Sequence, residues 1–497
     1  MARTLRSSVS VTLLSVLGSA ISLFNQLVLA KIFGASSTLD SYLIVVSVPV
    51  TLGGLAAGIL SYQVVPALRR SEQLAGNADS AVRGLLFSWG SVSVILAIAG
   101  GLMAYMLPRN WPMGWGLISQ TREIPILAWS WLPLGVLGCI LTAYLHVKGR
   151  FTLATIMQPL PAVGAIVGCL TAGGYGVRAL AWGQSAGYFV LVLALGVASG
   201  LKPGKRSWIE SQRVFTDVPL SILALLVFVI YPFSDALWGP RAGTSAVAML
   251  GYSQRIVVGF SGLVVVGATT VLFPRMAQYA ATGAHAALID DLARSVRTML
   301  ACVAPAAAML SVVSTALVSC LLQRGAFGPE QTRLLASLLP FMFGGMVAMS
   351  AAGLVFKALF AQGHVHTAAT LSVIGAATYF CLSGILVGNL GLQGAGLAYV
   401  LCWWLLLFSA RKILPIAGLG VKYFVRLITI SSLSAAVTWY ASRFASDRIA
   451  DPKLAAIMAL VTGLGAGAIA FSFLALGWPR LPEVDYLVRR LRSREPS

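Results

Sequence analysis

The chain has 497 residues, of which 58% are hydrophobic and only 10% are charged, and its mean hydropathy is +0.86. Soluble proteins carry about 25% charged residues, so this composition excludes a soluble globular protein and indicates a membrane protein with many spans. The formal net charge is +20, a value found both in nucleic-acid-binding proteins and in membrane proteins with basic cytoplasmic loops.

Fourteen apolar runs are long enough to cross a bilayer, which takes about 20 residues. The predicted spans are 9–32, 38–65, 83–107, 125–147, 152–175, 179–200, 217–239, 244–273, 297–322, 333–361, 367–388, 393–410, 424–445 and 454–478. The first run lacks a small-residue cleavage site, so we interpret it as a membrane helix and not as a signal peptide. The even count predicts that both termini lie on the same side, and the short loops argue against an external catalytic module.

The positive residues are distributed unevenly between the loops. With the N-terminus taken as cytoplasmic, 24 of the 35 Lys and Arg residues fall in cytoplasmic segments, 10 fall on the opposite side, and Arg255 lies within a span. This asymmetry follows the positive-inside rule, so we expect no nucleic-acid partner. The six cysteines lie within predicted spans and the four histidines have no Cys or carboxylate beside them, so we expect no disulfide, metal or cofactor.

The chain contains an internal repeat. LHVKGRFTLATIMQPL connects spans 4 and 5, and LFAQGHVHTAATLSVI connects spans 10 and 11, so that Gly149 matches Gly363. Further on, GVRALAWGQ from Gly176 parallels GLQGAGLAY from Gly391. Repeats of this kind enclose a central cavity in alternating-access transporters.

We therefore predict an all-α polytopic membrane protein with about 14 transmembrane helices, made of two six-helix repeats around a central cavity and two extra C-terminal helices. The predicted boundaries are an N-terminal lobe over 1–216, a C-terminal lobe over 217–412, two additional helices over 413–479 and a basic cytoplasmic tail over 480–497.

Ionisable side chains inside a membrane are costly and are therefore functional candidates. Arg255, in GYSQRIVVGFSG, lies about 16 Å into span 8 at about 1.5 Å per residue, near the middle of the membrane. Asp235, in YPFSDALWG, lies near the outer end of span 7. Two interpretations stay open: Asp235 and Arg255 form a structural ion pair, or Arg255 faces a cavity and binds an anionic group, with Asp235 as a possible coupling residue.

Small and polar residues form a stripe along each of the first two spans. The stripe of span 1 contains Ser15, Gly18, Ser19, Ser22, Asn25 and Gln26, with Lys31 near its far end, and that of span 2 contains Ser47, Thr51, Gly54, Gly58 and Ser61. Such stripes occur at helix–helix interfaces and also along the walls of wet cavities. Asn25, Gln26 and Lys31 are accordingly candidates for substrate binding.

Several segments resemble the bacterial lipid II flippase family, MurJ or MviN. LVSCLLQRGAFGPEQTRLL is similar to the LF-x-RGAF segment of that family, and LAKIFGASSTLDSYLIVVSVP, HVKGRF, GYSQRIVV and LFAQGHVHTAA occur in the expected order. The resemblance implies the multidrug/oligosaccharidyl-lipid/polysaccharide (MOP) exporter superfamily, with two six-helix lobes in a V. Where the family carries Arg-Asp in span 1, this chain has Asn25 and Gln26. The family's charges in span 2 fall on Gly53, Gly54 and Ala57.

The resemblance implies a flippase, and not an enzyme, that moves an undecaprenyl-diphosphate-linked saccharide across the bacterial inner membrane by alternating access. Arg255 would meet the diphosphate, and both termini would be cytoplasmic. The implied partners are the lipid-linked saccharide, membrane lipids and cell-envelope glycan synthesis proteins. Two identities of the substrate stay open. The family favours lipid II of peptidoglycan, whereas the missing charges favour a lipid-linked O-antigen or exopolysaccharide unit.

Three functions other than a flippase would need different sequence features. A cation/drug antiporter of the same superfamily would need an acidic cavity, for which only Asp235 is available. An integral-membrane glycosyltransferase would need catalytic residues in a large external loop, and 108–124 offers only Arg109, Arg122 and Glu123. A non-transporting scaffold is compatible with the loss of the family's charges.

Overall fold

The computed structural model describes residues 2–75, 78–106, 123–261, 279, 284–413 and 418–476, and every regular element in these ranges is helical. The helices are α1 (Ala2–Phe33), α2 (Ser37–Ala75), α3 (Ala78–Met106), α4 (Glu123–Val147), α5 (Phe151–Met157), α6 (Leu160–Thr171), α7 (Val177–Ser199), α8 (Ile209–Val229), α9 (Tyr231–Trp238), α10 (described over 246–261), α11 (His285–Val312), α12 (Ser314–Leu321), α13 (Pro329–Ala361), α14 (Val365–Leu390), α15 (Leu392–Ile413), α16 (Val421–Ser446) and α17 (Pro452–Leu476).

The prediction of an all-α polytopic membrane protein is confirmed. Within the described ranges, eleven helices are long and apolar enough to cross a membrane, or twelve if the bent α8–α9 pair counts as one span. The count of fourteen stays a prediction. The apolar stretch described in α1 covers only Leu17–Phe33, and 262–273 of the eighth predicted span lies outside the described residues.

Prolines account for two of the breaks between helices. Pro159 and Pro161 stand at the start of α6, directly after α5 ends, and Pro232 stands in the first turn of α9, after α8. The α8–α9 pair is bent by 57°. A proline lacks the N–H that would continue the helical ladder, so it is tolerated at a helix start. Pro133, Pro305 and Pro340 instead lie inside continuous helices.

The internal repeat is visible in the backbone of two pairs of turns. Gly149 and Gly363 both have a φ of +74°, and each N–H donates to the carbonyl three residues earlier, at 3.1 Å. The residue after each glycine donates to the carbonyl five residues earlier, which completes the same helix-ending motif in both turns. Gly176 and Gly391 also match, with φ/ψ of 60°/−135° and 59°/−139°. The sequence match between the repeats therefore extends to their turn geometry.

Contacts group the chain into two compact units, Met1–Gly251 and Tyr252–Ser497. The first unit includes α8 and α9, because both pack against α2. The predicted lobe boundary after residue 216 stays a prediction.

The first unit is organised around α2 and α4, which pack against each other and bring α3, α7, α8 and α9 onto their flanks. Its largest core cluster joins Leu68 of α2, Leu85 and Trp89 of α3, and Ile140 and Tyr144 of α4. Between membrane spans, van der Waals packing of such side chains holds the helices together. Helix α2, held by this cluster, also packs against α8 and α9.

The second unit is organised around α13, the most buried of the described spans. Helices α11 and α15 pack on α13, α14 packs on α15, and α16 and α17 pack together beside α11 and α12. Tyr379, Tyr399 and Trp403 form an edge-to-face aromatic series between α14 and α15. Such pairs add about 0.5–1.5 kcal/mol beyond their buried area, so this series fixes α14 against α15.

Candidate functional site

Arg255 lies on the exposed face of α10. Tyr252, Ser253 and Ile256 are buried within the second unit, at 3%, 0% and 3% exposure. Arg255 is exposed and, at about 100° per residue, lies about 60° around the helix from Tyr252 and about 60° from Val258, which is 59% exposed, so it stands at the edge of the exposed face. The mid-span arginine is thus an exposed residue of α10, as a residue that meets a ligand must be.

Aromatic contacts hold the buried face of α10 in place. Tyr252 meets Phe327 edge to face at 5.7 Å, and Phe260 meets Phe343 at 6.1 Å. Phe327 belongs to the RGAF segment and is 1% exposed. Gly325 of the same segment has a φ of +58°, a conformation that glycine adopts at little cost. The RGAF segment therefore supports the helix that carries Arg255.

The start of α10 is anchored by the first turn of α2 and by the turn that precedes it. The Asp40 carboxylate is buried and accepts the Ala248 backbone N–H at 2.8 Å, with the N–H groups of Ser245 and Val247 nearby. The Ser245 hydroxyl donates to the Ala35 carbonyl at 2.7 Å. A carboxylate placed here satisfies N–H groups that the helix itself leaves unpaired and complements the positive end of its dipole.

Replacing Asp40 by alanine should lower the free energy of unfolding by about 1–3 kcal/mol, because buried N–H groups at the start of α10 lose their acceptor. The measurement is the thermal unfolding midpoint of the purified protein in detergent. Asp40→Asn keeps an oxygen acceptor and should lose less, and Thr38→Ala, at an exposed position of the same turn, should change little. An Asp40→Ala variant as stable as the wild type would contradict the anchoring role.

The small-residue stripe of α2 packs against α8. A Cβ added at Gly54 would lie 3.1 Å from Val229, and one added at Gly58 would lie 2.7 Å from Leu225. For these two residues the structure favours the helix–helix interface over the wall of a wet cavity. Gly53 has no atom within 4 Å of its added Cβ, so the space beside it is open.

Buried polar groups lie on α2 and α9 where span 7 bends. Asp235 is 5% exposed, next to the fully buried Ser234. The hydroxyls of Ser234 on α9 and Thr51 on α2 are buried without a hydrogen-bond partner among the described residues. Buried hydroxyls almost always have a partner, such as an ordered water. The first turns of α9, directly after the bend, therefore carry two buried polar residues, Ser234 and Asp235.

The candidates on α1 face different directions. At about 100° per residue, Asn25 lies on the same face as Gly18, whose added Cβ would meet Pro159 at 3.3 Å. The Asn25 Oδ1 is buried without a hydrogen-bond partner in the described residues. Gln26 is half-buried, and the exposed Lys31 lies roughly 120° around the helix from Asn25. The three side chains therefore do not converge on one point.

In the described ranges, no group of three or more His, Cys, Asp or Glu side chains is placed to hold a metal ion. The sequence reasoning missed a different feature, the close approach of α6 and α7. Gly164 and Gly168 of α6 lie against Gly183 and Gly187 of α7. The spacing of four residues within GAIVG and GQSAG, typical of close helix packing in membranes, was the signal that pointed to it.

Solved structures of two kinds of transporter share this fold. A solved structure described as "Lipid II flippase MurJ, inward closed conformation" matches with a TM-score of 0.79 at 16% identity, over 94% of this chain and 98% of that one. An inward-facing MATE family transporter of the MOP superfamily matches with a TM-score of 0.64 at 16% identity, over 80% of this chain and 94% of that one. These structures show the fold.

Relatives by sequence carry the same description. A probable lipid II flippase MurJ of Thermotoga maritima is 24% identical over 407 residues, which cover 79% of this chain and 82% of that protein. A probable lipid II flippase MurJ of Rhizobium meliloti is 26% identical over 327 residues, 64% of this chain and 61% of that protein. The family model "Lipid II flippase MurJ" matches residues 29–458 and confirms the resemblance seen in the motifs. The chain belongs to the lipid II flippase MurJ family.

Proposed function

We propose that this protein flips an undecaprenyl-diphosphate-linked saccharide, the peptidoglycan precursor lipid II, across the bacterial inner membrane by alternating access. The observation that carries the proposal is the family match over 29–458, which spans both compact units. No covalent chemistry is required, so the protein acts as a transporter and not as an enzyme. Both termini lie in the cytoplasm, as the distribution of Lys and Arg favours.

Arg255 binds the diphosphate in this proposal. Its exposure on α10 supports the assignment, because a guanidinium can donate two parallel hydrogen bonds to a phosphate. The aromatic contacts of Tyr252 and Phe260 hold the part of α10 that carries Arg255 before the substrate arrives. Pre-organisation of this kind lowers the entropic cost of binding.

The α1 candidates serve the rest of the substrate. The unpartnered Oδ1 of Asn25 can accept a hydrogen bond from a sugar hydroxyl or a water, and the Gln26 amide offers a further donor and acceptor. Lys31, which is exposed near the end of α1, supplies a positive charge. Because these side chains lie on different faces of α1, we propose that they contact the substrate one after another during translocation and do not form one shared binding site.

Asp235 is the proposed coupling residue. Its burial beside Ser234 and the α8–α9 bend supports this role, because a carboxylate in such a place responds strongly to the arrival of a cation or proton. Cell-envelope glycan synthesis proteins are proposed as partners on the grounds of the substrate alone.

A lipid-linked O-antigen or exopolysaccharide unit is the second candidate substrate. It is favoured by one observation, that Gly54, at a position where the resemblance implies a charge, is covered by Val229 of α8. A translocation path with fewer cationic groups suits a saccharide head group other than that of lipid II.

Rescue of growth tests the proposal. Cells depleted of their own lipid II flippase should grow when they produce this protein, and proteoliposomes that contain it should make labelled lipid II accessible on the opposite leaflet. Failure of both assays at normal membrane abundance would contradict the lipid II proposal. Restored surface polysaccharide in a strain that lacks its O-antigen flippase would then support the second candidate.

A further inference from the structure

A groove runs along α6 and α7, and none of the residues that line it is assigned to the substrate. It has a volume of about 750 Å³, within the roughly 300–1,000 Å³ typical of ligand pockets. Its floor is the glycine seam of the two helices, and its walls are apolar side chains. The wall residues include Val163, Val167, Trp182, Ala186 and Val190.

The groove exists because α6 and α7 approach so closely. A Cβ added at Gly164 would lie 2.8 Å from the Gly187 Cα, and one added at Gly168 would lie 2.9 Å from the Gly183 Cα. The glycines have no side chains, so the larger side chains on either side of them project from the two helices and form the walls of the groove. Val167 and Trp182 are 51% and 56% exposed. An exposed apolar channel of this kind must be filled by lipid chains in a membrane.

The groove has the length of one leaflet. Arg178 at one end and Val190 at the other are twelve residues apart on α7, or about 18 Å at about 1.5 Å per residue. Half of the roughly 30 Å hydrocarbon core is about 15 Å. One acyl chain can therefore extend along the groove from the head-group level to the middle of the bilayer.

The polar residues all lie at one end of the groove. Glu123, Thr171, Tyr175 and Arg178 line this mouth, at the start of α4 and the turn between α6 and α7. The mouth thus offers one guanidinium and one carboxylate, with no net charge. Such a pair complements a zwitterion, whereas a diphosphate or another polyanion would be repelled by the carboxylate.

We propose that this groove binds one phosphatidylethanolamine molecule, with an acyl chain on the glycine seam, its phosphate at Arg178 and its ammonium at Glu123. The primary ammonium donates hydrogen bonds to the carboxylate, which the quaternary choline group cannot do. The site is a lipid-binding site of the scaffold. It does not depend on which molecule the protein transports.

The test is native mass spectrometry of the purified full chain in detergent, with equimolar palmitoyl-oleoyl phosphatidylethanolamine, phosphatidylcholine and phosphatidylglycerol added. The wild type should retain one phosphatidylethanolamine roughly tenfold more than either competitor, as expected for one charge-assisted hydrogen bond. Arg178→Gln should weaken retention of every phospholipid about tenfold. Glu123→Gln should remove the preference for ethanolamine over choline.

Two further variants separate the groove from general lipid adhesion. Ala186→Phe places a ring in the groove from an exposed position and should abolish retention of the single lipid. Lys453→Gln, at an exposed residue of α17, is the matched control and should behave as the wild type.

Three outcomes would overturn the proposal. They are equal retention of phosphatidylglycerol, unchanged retention in both Arg178→Gln and Ala186→Phe, and displacement of the lipid by undecaprenyl phosphate at equal concentration. The last result would assign the groove to the transported lipid. None of these measurements involves transport. A negative result for lipid binding therefore does not contradict the flippase proposal, and a negative rescue assay does not contradict the lipid-binding proposal.

Discussion

Replacing Arg255 by alanine should abolish rescue of flippase-depleted cells and slow lipid II flipping in proteoliposomes by roughly 10- to 100-fold. The estimate follows from the loss of hydrogen bonds to a charged group, about 1.5–3 kcal/mol, at about 1.4 kcal/mol per factor of ten. Because Arg255 lies on the exposed face of α10, its removal leaves the packing of Tyr252 and Phe260 intact. The free energy of unfolding should change by only about 0.5 kcal/mol.

Two companion variants make the Arg255 result specific. Arg255→Lys keeps the charge but loses the planar pair of donors, so its flipping rate should fall between those of the wild type and Arg255→Ala. Arg333→Ala removes an exposed arginine from the start of α13 and should flip at nearly the wild-type rate. If Arg255→Ala flips lipid II at the wild-type rate at equal abundance, Arg255 does not bind the substrate.

The architecture was predictable from the sequence because its signals are local or repeated. Apolar runs of bilayer length located the helices, and the glycines at 149 and 363 predicted related connections at a fixed offset. Both glycines adopt the same left-handed conformation in the structure. A helix-ending turn depends on a few adjacent residues, so a repeat in the sequence produces a repeat in the backbone.

The helix contacts were not predictable because they join residues far apart in the chain. Asp40 lies in a recognisable motif, yet its bond to Ala248 spans 208 residues. The stripe on α2 was compatible with either a wet wall or an interface. Only the position of Val229 and Leu225 against Gly54 and Gly58 favours the interface. A single sequence shows which face of a helix is unusual, but it does not show what covers that face.

The candidate site was predicted residue by residue, but its geometry was not. Arg255 stood out because a charge within a span is costly, and its exposure on α10 agrees with a ligand-binding role. Asn25 and Gln26 were grouped as the end of one polar stripe along span 1, with Lys31 near its far end. A helix turns by about 100° per residue, so neighbours in sequence point in different directions.

The seam between α6 and α7 depends on contact between two backbones. A Cβ added at Gly183 would lie 2.9 Å from the Gly168 Cα and closer still to the Gly164 carbonyl oxygen. Neither is the flexible end of a side chain, so the helices themselves must separate to make room. By contrast, Gly196 lies on the same helix, and no atom lies within 4 Å of its added Cβ.

The same substitution should therefore have opposite effects at these two positions of α7. Gly183→Ala should lower the free energy of unfolding by about 1–3 kcal/mol, as overpacking does in a tightly packed interior. Gly196→Ala should raise it by up to about 1 kcal/mol, because alanine favours a helix over glycine and meets no neighbour. Thermal unfolding midpoints of the two variants in one detergent measure the difference. Equal midpoints would mean that the backbones of α6 and α7 are not in contact. The proposed lipid groove would then lack the glycine contact that forms its base.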